Sequence, residues 1–106
     1  MMRVISSQRY LDDDKVASKM QLLTDDGVDH VTLPIVYAID FDDEQLYILI
    51  DNHHARQAAI NLGLTINYEV IDAKQRYGNL VTGEDLLEQL WIDSGWYYLD
   101  TDQEVF

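Results

Sequence analysis

The segment of this 106-residue chain with the most chemical potential runs from Leu49 to Ala59, LIDNHHARQAA. An apolar run breaks there into a polar turn and then into alanine-rich sequence. Backbone N–H groups at a helix start are unpaired and carry partial positive charge, so such a strand–turn–helix offers a phosphate or carboxylate a place to sit. Asp51, Asn52, His53, His54 and Arg56 form the candidate ligand-binding turn. Three roles are open to the two histidines. They cap the helix and bond backbone carbonyls, or they bind a ligand with one ring as acid or base near neutral pH, or they hold a metal. Adjacent histidines share one ion poorly, so no metal site is assigned. No Ser-His-Asp set, Walker loop or dinucleotide fingerprint is recognisable, and no residue is named catalytic. His30, alone among loop residues, reads as a solvated bystander.

A second group of candidates is acidic and aromatic. Asp40, Asp42, Asp43 and Glu44 lack the spacing and glycine of a calcium-binding hand and read as a charged hairpin tip. Trp96-Tyr97-Tyr98, followed by Asp100 and Asp102, reads either as a last edge strand covering the core or as a contact surface for a basic protein. Asp42, Asp43, Glu44, Trp96, Tyr97, Tyr98, Asp100 and Asp102 are the candidate partner-binding residues.

The elements that must position these groups follow from periodicity. Arg3-Val4-Ile5 suits a first strand. Asp12–Asp14 precede Lys15–Leu23, where Val16, Met20 and Leu23 make one helical stripe, and Gly27 suits a left-handed C-cap. Val31–Ile39 and Gln45–Ile50 predict a hairpin, with Pro34 expected near a strand start or at a sheet edge because it cannot donate a ladder bond. LYILI is apolar throughout, as in a central strand covered on both faces. His53–Leu62 predicts a helix whose Ala55, Ala58 and Ala59 allow close approach to the sheet, with Gly63 as its cap, and Thr65–Ile71 predicts another strand. Thr82 and Asp85 resemble a capping box, with Leu86, Leu87, Leu90 and Trp91 on one face of the helix that follows. The fold class expected is α/β (α+β), a small mixed sheet with helices packed on it. One domain spans residues 1–106, with a core over 3–72 and a C-terminal helix plus aromatic, acidic strand over 73–106.

The strand–turn–helix resembles the ParB/sulfiredoxin superfamily, in which an apolar strand enters an Asp-Gly-His-His-Arg or Gly-Glu-Arg-Arg turn, followed by a helix containing Ala-Ala and ending Leu-Gly. Asp51, His53, His54, Ala58, Ala59, Leu62 and Gly63 match in register. Ser7-Gln8 is similar to the family's Thr-Gln, and Leu33–Val36 to its proline-initiated strand. The resemblance implies a ParB-like fold and a phosphate cradle serving nucleotide binding or nuclease activity. Two departures disarm that cradle. Asn52 replaces the turn glycine, although Asn tolerates left-handed geometry. Ala55 replaces the phosphate-binding arginine, and Arg56, one residue later, is rotated by about 100°. Sulfiredoxin activity is excluded because the chain has no cysteine.

Charge sets the functional expectation. Twenty Asp and Glu against seven Lys and Arg give −13 and a pI near 4.2. Direct nucleic-acid binding is not expected, since displacing counterions takes a basic face. A local basic patch stays open, because Arg3, Arg9, Lys15 and Lys19 are close in sequence. The acid excess favours a basic protein partner, and a binding or inhibitory role is favoured over catalysis. The leading expectation is an immunity- or antitoxin-type inhibitor of a basic partner such as a nuclease toxin. The alternatives are a ParB-like nucleotide-binding or nuclease domain, and a plasmid- or phage-associated accessory protein or nucleic-acid mimic. No cofactor is expected beyond weak nucleotide binding. No apolar run reaches the roughly 18 residues of a membrane span, and MMRVISSQRYLDDD lacks the apolar stretch of a signal peptide, so a bacterial, cytoplasmic setting is expected.

Overall fold

Alternation and capping dictate the first half of the chain. The computed structural model describes residues 2–78 and 83–106. Strand β1 (Met2–Ser6) leads to α1 (Asp13–Asp26), where the Asp12 side chain accepts from the Asp14 and Lys15 amides and Gly27, at φ 65°, closes the helix. Strands β2 (His30–Phe41) and β3 (Glu44–Leu49) form the expected hairpin. Its turn is only two residues long. Asp42 and Asp43 both have positive φ, 54° and 63°, which a type I′ turn demands. Helix α2 (His53–Leu62) and strand β4 (Thr65–Val70) follow, with the left-handed cap at Gly63.

The five-stranded sheet has the order β4-β2-β3-β1-β5, where β5 is Tyr97–Tyr98. It is mixed: β1–β3 and β2–β4 are parallel, while β2–β3 and β1–β5 are antiparallel. β3 is therefore central, and its successive side chains feed two cores. On one face, Val31, Leu33, Ile35 and Leu49 meet Ala59 of α2, with Leu23 of α1 packed alongside. On the other, Ile5, Val36, Ala38, Leu46 and Ile48 meet Leu86 and Val105. Ala58 and Ala59 are fully buried, so the small side chains do bring α2 close to the sheet.

Pro34 departs from expectation: it is the fifth residue of an internal twelve-residue strand. Its carbonyl accepts from the Ile50 amide just past the end of β3. A strand residue directs its N and O to the same side, so the proline nitrogen faces the point where the β3 ladder has already run out. The β4 side, paired through Pro34↔Glu69, is undisturbed.

The last third is less regular than its periodicity suggests. A short helix α3 (Ala73–Tyr77), not foreseen, precedes α4 (Gly83–Gln89); the proposed cap Thr82 lies outside the described residues. Leu86 is buried, and Leu87 and Leu90 pack on its cluster. Trp91 does not join them: α4 ends before it, and it is 55% exposed. The start of α4 lies against β2, where a Cβ on Gly83 would overlap Ile39 Cγ2 and the Ala38 carbonyl. No helix among the described residues is long and apolar enough to cross a membrane.

Candidate functional site

The turn between β3 and α2 keeps the backbone shape that its sequence suggests. Asn52 stands at the N-cap in left-handed geometry, φ 65° and ψ 33°, where glycine would be the low-strain residue. Its side chain makes no cap bond, and the Asp51 carboxylate accepts from the Asn52 amide at 2.8 Å. Both residues are exposed. The first turn of α2 is consequently uncapped by any side chain.

The histidines behind that turn bond to other elements, His53 in the interior and His54 at the surface. His53 is 8% exposed and shares a 2.9 Å hydrogen bond through Nε2 with Ser6 Oγ at the end of β1. Ser6 Oγ also accepts from the Gln8 amide. Burial pushes His53 down to about 4; the Asp51 carboxylate opposes this, and Arg56 and His54 reinforce it. The ring is thus neutral at pH 7. His54 Nε2 accepts from the Asp12 amide at 3.1 Å, tying α2 to the N-cap of α1. Neither ring caps its own helix or bonds a carbonyl, as the structural reading of them had it. Both sit where the helix start meets another element, and they bond to that element.

The Ser6–His53 pair has the residue types of a nucleophile and its base, and sequence reasoning missed it, since nothing in a separation of 47 positions marks it. Ser6 is only 1% exposed, so no substrate reaches its hydroxyl. The pair belongs to a polar knot. Ser7 accepts from the Ile92 amide and donates to the Leu90 carbonyl, and its own carbonyl accepts from Asp93 and Ser94. This knot fastens the loop after α4 to the end of β1.

Arg56 does not turn toward the Asn52 bend. Its Nη2 donates to the Leu99 carbonyl at 3.2 Å. The position nearer the bend is Ala55, which packs in the core beneath α2. The turn therefore sets a left-handed residue ahead of the helix start, with the Arg56 guanidinium directed elsewhere.

Compared with family models, curated proteins and solved structures, the chain matches none.

The acidic candidates gather at the opposite end of β3. Asp40, Phe41, Asp42, Asp43, Glu44 and Gln45 line an open recess of about 460 Å³. Register places Met2 beside Gln45 and Arg3 beside Leu46, and the chain leaving β5 runs back along β1 to the same end. Arg3 bridges the two acid groups, bonding Glu44 at 3.4 Å and Asp100 at 2.7 Å. The hydrogen bond to Asp100, above all, raises its pKa above the usual arginine value. Asp100 and Asp102 are otherwise open, at 63% and 73% exposure of their side chains, although Arg9 bonds Asp102 at 2.6 Å. The aromatics are used differently. Tyr97 is buried, donates to the Gln8 carbonyl at 2.7 Å, and has Arg9 over its ring. Tyr98 lies under Arg3, and Trp96 packs on the core. The segment forms the edge strand and covers hydrophobic side chains.

The four N-terminal basic residues do not form one patch. Arg3 and Arg9 lie over the β5 tyrosines, while Lys15 and Lys19 line a recess on α1 beside His54. His30 is not in a loop but begins β2, bonded to Asp29 at 2.8 Å.

Proposed function

We propose that this chain is a non-catalytic acidic binding protein, an immunity- or antitoxin-type inhibitor that covers a basic partner such as a nuclease toxin. The observation that carries this reading is the gathering of Asp40, Asp42, Asp43, Glu44 and Asp100 at one end of the sheet. There the hairpin tip is solvent-facing and its two turn aspartates make no ion pair among the described residues. An exposed acid cluster on a chain of charge −13 speeds encounter with a cationic surface and makes that encounter salt-sensitive. The bonds of both histidines to neighbouring elements and the turning of Arg56 toward Leu99 support a scaffold without catalysis. The test is titration of the purified basic proteins encoded beside this one, by calorimetry at low and high salt. Tight, salt-weakened binding is expected for one of them, lost on combining Asp42→Lys with Asp43→Lys. Affinity of micromolar or weaker for every neighbour-encoded protein would sink the idea.

A second reading is favoured by one specific feature, the left-handed Asn52 ahead of an uncapped α2. It makes the chain a ParB/sulfiredoxin-like domain that still takes the phosphates of CTP or ATP at the amides of residues 52–55. Shifts of those amides on adding either nucleotide with Mg²⁺ support it. Binding by Ala55→Arg alone supports instead a cradle of that ancestry that lost its cation. Silence from both proteins removes the phosphate reading.

A further inference from the structure

Two buried side-chain nitrogens among the described residues have no hydrogen-bond partner, and both are arginine Nε atoms, of Arg3 and Arg56. Both arginines line the same cavity of about 200 Å³. A buried donor left unpaired costs on the order of 1–3 kcal/mol. Native folds keep such groups rare; both Nε atoms are closed off by the protein itself, so what an occupant of the cavity can meet is the rest of each arginine side chain.

The two arginines are not equivalent. Arg3 is held between Glu44 and Asp100 and is already neutralised. Arg56 makes no ion pair among the described residues; its one bond is to the neutral Leu99 carbonyl. It brings an uncompensated positive charge to a half-buried position in a strongly acidic chain. Met2, Val4, Tyr68 and Leu99 supply a mostly apolar wall, and Asp100 closes the rim.

We propose that this cavity is a binding site for a small organic carboxylate, its head on Arg56 and its short apolar chain against Met2, Val4 and Leu99. A carboxylate matches the guanidinium fork. It is a monoanion, so the Asp100 carboxylate repels it less than it would a phosphate dianion, and phosphate would leave the apolar wall unused. At ~30 Å³ for each water-sized group, the cavity holds roughly six or seven heavy atoms, the size of isovalerate. The site lies away from the Asn52 bend, because Arg56 points from that bend toward Leu99, and it stands whether or not a basic protein binds the hairpin tip.

The test is an NMR titration of the full chain that follows arginine Nε–H and backbone amide signals. Sodium isovalerate is compared with 3-methylbutanol, which keeps the chain and lacks the charge, and with inorganic phosphate, which has charge and no chain. Isovalerate is expected to shift Arg56, Arg3, Val4 and Leu99 along one saturable curve, with neither control doing so. Arg56→Gln should weaken binding roughly tenfold or more, the loss of one charge-assisted bond. Met2→Trp fills the exposed rim while keeping both arginines in the chain, and is expected to weaken binding even if Arg56→Gln does not fold. Four results would overturn the proposal: no saturable shift with isovalerate, an equal response to the alcohol, an equal response to phosphate, or shifts spread evenly over Arg9 and Arg76.

Discussion

The two ends of β3 hold the same backbone device put to opposite uses. At the hairpin tip Asp42 and Asp43, and at the mouth of α2 Asn52, non-glycine residues adopt left-handed geometry. Asp and Asn are the side chains that accept this with least strain. At the mouth of α2 the neighbouring side chains are spent on the fold: His53 on Ser6, His54 on Asp12 and Arg56 on Leu99. At the tip the turn aspartates face water. Side chains that look functional by residue type are thus bonded into the fold, while a plain charged turn leaves its side chains in solvent.

Charge reversal at the tip should break this contrast most strongly. Asp42→Lys with Asp43→Lys is expected to slow association with a basic partner roughly hundredfold at low salt. No ion pair among the described residues is lost, but each lysine gives up the tolerance of Asp for positive φ, so stability should fall by about 1 kcal/mol per substitution. Stopped-flow association and urea unfolding, read side by side, check both halves. A loss well beyond the roughly 2 kcal/mol of that strain would mean that the tip is as structural as the mouth of α2.

His53 sharpens the other half through pH. Its folded pKa of about 4 lies below the usual 6.5, so between these values the unfolded chain binds the proton first. The stability from keeping this ring neutral is complete above about 6.5 and is lost as pH falls toward about 4. Discounted for solvent screening, the loss is about 2 kcal/mol. Relief of acidic repulsion acts in the opposite sense over the same range. The measurable quantity is therefore the difference between wild type and His53→Asn in urea unfolding at several pH values. That difference should shrink on acidification.

A smaller effect is expected on the far face. Gly83 is the first residue of α4, so Gly83→Ala gains only part of the ~1 kcal/mol of an interior position, while its Cβ overlaps Ile39 and the Ala38 carbonyl, and such overpacking costs typically about 1–3 kcal/mol. A net destabilisation of about 1 kcal/mol in chemical denaturation is expected. A stabilised variant would show that α4 can shift on β2 without loss.

The sequence was most legible where one local rule decided the outcome. The residue bounds of α2 agree with their prediction because turn, alanine stripe and Gly63 all point to the same ends. Gly27 closes α1 as expected, but the helix runs over Asp13–Asp26 rather than Lys15–Leu23, because the apolar stripe marks only its packed middle while the Asp12 cap and Gly27 set its ends. Pro34 was misplaced because its acceptability depends on where a neighbouring strand stops, which is a tertiary fact. Trp91 continues the helical period of Leu87, but α4 ends at Gln89, so the period has no helix to act on. At the candidate site, the bend and its left-handed residue were readable. The partners Ser6, Asp12 and Leu99 were not, since each comes from a distant segment that only the sheet order brings near.

The smallest effect separates the shape of the α2 bend from its charge. Asn52→Gly removes left-handed strain, which is modest for Asn, but gives the unfolded chain extra freedom worth about 0.4–1 kcal/mol. The two changes nearly cancel, so urea unfolding should move by no more than roughly half a kcal/mol. Asn52→Ala keeps the strain without the tolerance of Asn and should cost about 1 kcal/mol. Asn52→Gly also lets a phosphate approach the backbone more closely while adding no cation. If the missing guanidinium is what keeps nucleotides out, this variant binds CTP no better than wild type by amide titration, while Ala55→Arg does. Binding restored by glycine alone would place the defect in the backbone, and the contrast between the two ends of β3 would then be one of shape rather than of charge.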